Sequence, residues 1–116
     1  MKYILYFPVL LLAFSCQQYD EGNVYIQNKV HNVKLESINW GDYPLAYSLI
    51  PGETSEVNNV VDKEGTFPKS YVVSFYMVRG DKRVYLKTKQ AYQLNADEDL
   101  TIVITDSTVV VNPLLY

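Results

Sequence analysis

One cysteine and one histidine occur in 116 residues. That scarcity excludes a disulfide framework and nearly every zinc site. No apolar run reaches the ~20 residues that a membrane-spanning helix needs. A basic surplus is also missing: ten Lys and Arg stand against thirteen Asp and Glu, net −3. Nucleic acid is therefore not an expected partner, because phosphate binding needs a basic surface. Attraction to anionic lipid through charge is excluded on the same ground. No internal repeat and no low-complexity segment is present.

Apolar residues make up 48% and charged residues 20%, with eleven Tyr among them. This is the balance of a globular chain, and the length fits one domain. A substrate cleft between two lobes does not fit that size, and neither does a dinucleotide cofactor domain. The expectation is a non-enzymatic protein with no cofactor.

The N-terminus opens Met1-Lys2 and then runs without charge from Tyr3 to Phe14, followed by Ser15-Cys16. A short positive start, an apolar centre and small residues at a cut site describe a secretory signal peptide. Two cleavage readings share one bond. Ala13-Phe14-Ser15 serves ordinary secretion. Ala13-Phe14-Ser15-Cys16 resembles the lipobox of bacterial lipoproteins, with Ala13 where Leu is usual and Phe14 where a smaller residue is usual.

The resemblance implies that residues 1–15 are removed and that Cys16 becomes the N-terminus, carrying acyl chains such as palmitate. A single acyl chain anchors only marginally, at ~0.8 kcal/mol per buried methylene, whereas two or three hold stably. The expected location is the bacterial cell envelope, on the periplasmic or surface face of the outer membrane. Residues 16–22 (Cys-Gln-Gln-Tyr-Asp-Glu-Gly) then read as the lipidated cysteine and a polar tether. The Asp20-Glu21 pair is similar to export signals of some Gram-negative lipoproteins, and reads equally as a soluble linker. Without Lys2 the mature chain has nine basic and thirteen acidic residues, net −4.

From Asn23 to Tyr116 no apolar run of helical period is present. Val24 and Ile26 alternate with Tyr25 and Gln27, and Val33 and Leu35 alternate with Lys34 and Glu36. Ile38 and Trp40 continue on the other parity, which predicts a bulge or a strand exit. Leu45, Tyr47 and Leu49 alternate with Ala46 and Ser48. Turn residues recur at short spacing, so the expected fold class is all-β. The architecture is a single antiparallel β-sandwich of seven to eight strands over residues 23–116.

Two hairpins follow in register. Gly80-Asp81 suits a type II′ turn, which pairs Arg79 with Lys82 and Met77 with Val84. Phe75 then faces Leu86, and Val73 faces Thr88, all on the core side. The opposite side carries Val78 with Arg83, Tyr76 with Tyr85, and Ser74 with Lys87. The second predicted hairpin pairs Leu100–Thr105 with Thr108–Asn112 around Asp106-Ser107. It places Leu100, Ile102, Ile104, Val109 and Val111 in the core.

Leu49-Ile50-Pro51-Gly52-Glu53-Thr54-Ser55 predicts a type II turn, with Pro presetting φ and Gly supplying φ > 0. This stretch resembles the Leu-x-Pro-Gly-Glu-[Ser/Thr] corner of bacterial immunoglobulin-like and fibronectin-like domains. The resemblance implies a segment that joins strands of opposite sheets, with Trp40 as central core aromatic. With its N-terminus, the chain is similar to small Gram-negative lipoproteins built on one such sandwich.

Few residues offer chemistry. His31 lies in a predicted turn with no partner near it in sequence, so a base or ligand role lacks support. Asp62-Lys63-Glu64 and Asp97-Glu98-Asp99 are acidic loop clusters. They read as solvated turns rather than as a glycosidase pair or a calcium loop. Arg79-Gly80-Asp81 spells an adhesion tripeptide, but the turn already explains its Gly. The candidate ligand-binding residues are Tyr76, Arg83, Tyr85 and Lys87, flanked by Val72 and Val78. Together they form an outward aromatic and basic strip. Tyr supplies flat contact area and a hydroxyl, which suits a glycan or an envelope protein.

The expected function is a lipid-anchored envelope module that binds a glycan or protein partner. The alternative is a structural subunit of a surface assembly that joins by strand addition through Thr108–Tyr116. A small hydrolase is a third reading.

Overall fold

The computed structural model describes residues 19–113. The predicted signal peptide and the lipidation at Cys16 lie outside the described residues. Eight strands form: β1 (Asp20–Lys29), β2 (Lys34–Trp40), β3 (Tyr43–Leu49), β4 (Asn58–Asp62), β5 (Lys69–Arg79), β6 (Lys82–Leu94), β7 (Asp99–Thr105) and β8 (Val110–Val111). They make a three-stranded sheet ordered β4-β1-β7 and a five-stranded sheet ordered β3-β2-β5-β6-β8. The two sheets pack into the β-sandwich that the alternation predicts. β1 starts at Asp20, so Asp20–Gly22 pair with Asp62–Val60 of β4 rather than running as tether.

The core draws on both layers. Val24, Ile26, Val60, Ile102 and Ile104 from the small sheet meet Leu35, Ile38, Trp40, Val73, Phe75 and Leu94 from the large one. Each fully buried residue of this kind contributes ~1.5–3 kcal/mol. Trp40 is wholly buried, and its indole N–H donates to the Tyr92 carbonyl at 3.0 Å. The parity change before Ile38 is a bulge. Ser37 takes φ 50°, the register shifts between Ile38 and Asn39, and Leu35, Ile38 and Trp40 all turn inward.

The Pro-Gly corner forms as predicted. Gly52 has φ 88°, and the Glu53 N–H donates to the Ile50 carbonyl at 3.0 Å. The corner carries the chain from β3 in one sheet to β4 in the other, and it is stitched onto β1. Gly52 N–H donates to the Asn28 carbonyl, and Asn28 N–H to the Glu53 carbonyl. Ser55 N–H donates to the Ile26 carbonyl at 2.8 Å, and Ile26 N–H to Ser55 Oγ at 3.0 Å.

The first hairpin has the predicted register from Arg79↔Lys82 to Ser74↔Lys87. Gly80 takes φ 64° while Asp81 stays on the negative side, the pattern of a type II′ turn. Beyond Ser74 the ladder slips, and Thr88 Oγ1 accepts the Val73 N–H at 3.0 Å. Val84, expected in the core, is 42% exposed because it sits at the open end of the sheet edge.

The second hairpin does not form. Asp106-Ser107 does turn, but β7 pairs with β1 in parallel, and β8 pairs with β6 in the other sheet. Neither Asp106 nor Ser107 adopts the positive φ that a tight two-residue hairpin requires. Instead Thr105 N–H donates to Thr108 Oγ1, and Thr108 N–H returns to the Thr105 carbonyl. That closure makes a corner between sheets. Leu100, Ile102 and Ile104 keep their inward places, but Val109 is 62% exposed, and Val110 rather than Val111 packs on the core. Tyr47, aligned in sequence with two core leucines, is 81% exposed on edge strand β3, opposite the bulge in β2.

Candidate functional site

The alternation of β5 and β6 sets Tyr76, Val78, Arg83, Tyr85 and Lys87 on the face of the large sheet turned away from the core. Neighbouring β2 adds Lys34 opposite Val78 and Glu36 opposite Tyr76. The Tyr76 and Tyr85 rings lie 5.0 Å apart at 48°. Arg83 Cζ sits 4.0 Å from the Tyr76 ring centroid. One face of Tyr76 is thus covered by the guanidinium, whereas Tyr85, partly exposed, carries no cation over its ring among the described residues. The predicted strip is therefore assembled by the hairpin register, and β2 adds charges that the hairpin alone did not reveal.

Glu36 organises those charges. Lys34 Nζ lies 2.9 Å from one carboxylate oxygen and Arg83 Nη2 3.8 Å from the other. The hydrogen bond from Lys34 holds the Glu36 carboxyl below its ordinary range, against an opposing push from burial and with help from the charges of Lys34 and Arg83. Lys87 stands opposite Ser74 on one side and Val111 on the other, with no ion pair among the described residues. The strip thus holds two cations at one carboxylate, with Lys87 as a third cation apart from them, on a chain whose net charge is −3. Val72 lies past the ladder slip, opposite Ala91, at the far end of the strip.

The other sequence candidates go to structure. His31 is exposed, and its backbone N–H donates to Asp106 Oδ1 at 2.9 Å. Asp99 accepts from Asn23, and Glu98 from Asn95. Asp62 is buried at 4% exposure and anchors its own loop. It accepts from the Glu64 and Phe67 N–H groups and the Thr66 hydroxyl, with Lys69 at 3.7 Å.

One feature escaped the sequence reading. A groove of about 840 Å³ runs between β6 and β7, lined by Lys89, Tyr92, Thr101, Val103 and Thr105 among others. It exists because β8 does not cover β7. The uncharged run Leu100–Thr105, lacking the Gly that a tight hairpin favours after it, was the available signal.

What fold and surface define together is a class: a small two-sheet β-sandwich with an outward aromatic and basic strip. No protein-family model matches the chain, and no curated protein or solved structure matches it either.

Proposed function

We propose that this chain is a non-enzymatic binding module, lipid-anchored through Cys16 at a bacterial cell envelope, and that it holds a glycan on the Tyr76–Tyr85 strip. The observation that carries the reading is the pairing of two tyrosines with fixed Arg83, and with Lys87 that makes no ion pair among the described residues, on a solvent-facing sheet. A sugar ring stacks on Tyr85, and its hydroxyls bond to Lys87 and the phenol groups. Rigid aromatic rings lose little entropy on binding, which suits a shallow site. The acyl chains, grafted on the sulfur of Cys16, confine the domain to a surface and leave the strip to find its ligand.

Affinity electrophoresis of the full chain through immobilised envelope polysaccharide tests the site. The expected result is retardation that Tyr85→Ala weakens by about tenfold, equal to ~1.4 kcal/mol. Retardation unchanged in Tyr85→Ala, or none at all, rejects the strip. Labelled palmitate incorporated by the native chain and not by Cys16→Ala tests the anchor separately.

A further inference from the structure

The outer edge of β7 is the least protected strand edge among the described residues. β3 carries Pro44, and the outer edge of β6 carries Lys82, Arg83, Lys87 and Lys89 and is partly covered by β8. β4 has only five residues. These are the devices that keep sheet edges from pairing. β7 has none: past Asp99 it reads Leu-Thr-Ile-Val-Ile-Thr, without charge, Pro or Gly. Such β-branched segments pair readily with another strand.

The register says which backbone groups are open. Asn23 N–H donates to the Glu98 carbonyl, and the parallel ladder runs from Asn23↔Asp99 to Lys29↔Thr105. In a parallel ladder, alternate residues turn their N–H and C=O toward the neighbour. Leu100, Ile102 and Ile104 face β1, so Asp99, Thr101, Val103 and Thr105 face the open side. Thr105 is closed by Thr108. The N–H and C=O groups of Thr101 and Val103 are left pointing along the groove.

We infer that a second copy of this chain occupies that edge, β7 against β7, antiparallel about a two-fold axis at Ile102. Thr101 of each copy then stands opposite Val103 of the other, and the open N–H and C=O groups of both residues gain partners. The charges agree in balance: antiparallel pairing brings the Asp97-Glu98-Asp99 end of one β7 to the Thr105 end of the other, where Glu98 meets Asp106 but Lys29, the β1 partner of Thr105, adds a cation. Lys89 lines the groove at that end, bonded through its N–H to the Val109 carbonyl. The contact is isologous, so it closes as a dimer, with the small sheets of both copies continuous. The inference goes beyond the glycan reading and does not depend on it.

Amide exchange and sedimentation of the full chain in detergent test it. The Thr101 and Val103 amides are expected to exchange about tenfold more slowly at high protein concentration than after dilution. The other β7 amides change little. Sedimentation should show a dimer that dissociates on dilution, and Val103→Lys should sediment as one protomer with an unchanged circular dichroism spectrum. A wild type monomeric at every concentration overturns the proposal, as does a Val103→Lys dimer. If Val103→Lys does not fold, exchange in the wild type decides: concentration-independent exchange at Thr101 and Val103 overturns the pairing.

Discussion

Arg83 lies over the ring of Tyr76 with its guanidinium carbon 4.0 Å from the centroid, and the same group approaches Glu36 at 3.8 Å. The ring and the carboxylate together fix a side chain that is half exposed. A cation over an aromatic face at an exposed site contributes about 0.5–1 kcal/mol. Arg83→Ala is expected to lower the urea unfolding free energy by about that amount. Arg83→Lys recovers only part of it, because an ammonium lacks the planar group that stacks. An unfolding curve unchanged in Arg83→Ala would show that the stacking adds nothing to stability.

Asn28 is the one polar residue in the inward series Val24, Ile26, Asn28, Val30 that runs along β1 and just past its end. It is fully buried and fully used. Its Nδ2 donates to the Val33 and Leu49 carbonyls, and its Oδ1 accepts the Val30 N–H. The side chain thus ties β1 to the start of β2 and the end of β3. Asn28→Leu fits the apolar surroundings but strands two carbonyls and one N–H. The expected loss is about 3 kcal/mol or more by urea denaturation, since each buried orphan costs ~1–3 kcal/mol. A loss below ~1 kcal/mol would mean that water or a shifted backbone replaces those bonds.

These residues show what was legible and what was not. The strip could be read because a Gly-Asp turn fixes the register locally, and the period of two then sets every face down to Ser74 and Lys87. Asn28 could not, since its partners at Val33 and Leu49 are brought near only by the tertiary fold. The parallel β1–β7 pair had no sequence signal for the same reason: its partners stand 76 residues apart, as in the Asn23–Asp99 hydrogen bond. The expected hairpin failed on a local point, the absence of positive φ at Asp106-Ser107. Tyr47 misled because period-two counting ignores a bulge on the neighbouring strand.

Acid stability follows from Asp62. Burial pushes its carboxyl upward, but the Phe67 N–H, the Thr66 hydroxyl, the Glu64 N–H and the Lys69 charge outweigh that and hold it below the usual carboxylate range. A group whose folded pKa is lowered stabilises the fold above its unfolded pKa, and that contribution disappears as pH falls through the folded value. Glu36 acts in the same sense. The urea midpoint is therefore expected to hold steady near neutral pH and to drop below about pH 4. Asp62→Asn should lower the midpoint at neutral pH and flatten the acid drop. An Asp62→Asn curve parallel to wild type across this range would assign the acid sensitivity to other groups.

Thr88 holds the place where the β5–β6 ladder slips. Its buried hydroxyl accepts the Val73 N–H at 3.0 Å and donates to the Gln90 carbonyl at 2.8 Å. The side chain stands in for the ladder bonds lost between Val72↔Ala91 and Ser74↔Lys87. It thereby keeps Phe75 inward and Tyr76 outward on one continuous strand. Thr88→Val preserves shape and removes both bonds, leaving the Val73 N–H buried without a partner. The expected cost is about 1–3 kcal/mol in unfolding free energy. Thr88→Ser keeps the hydroxyl and should lose less than Thr88→Val. Faster exchange of the Val73 amide in Thr88→Val, with the turn at Gly80 unchanged, would locate the loss at the slip. Equal costs for Thr88→Ser and Thr88→Val would instead assign the role of Thr88 to its methyl group.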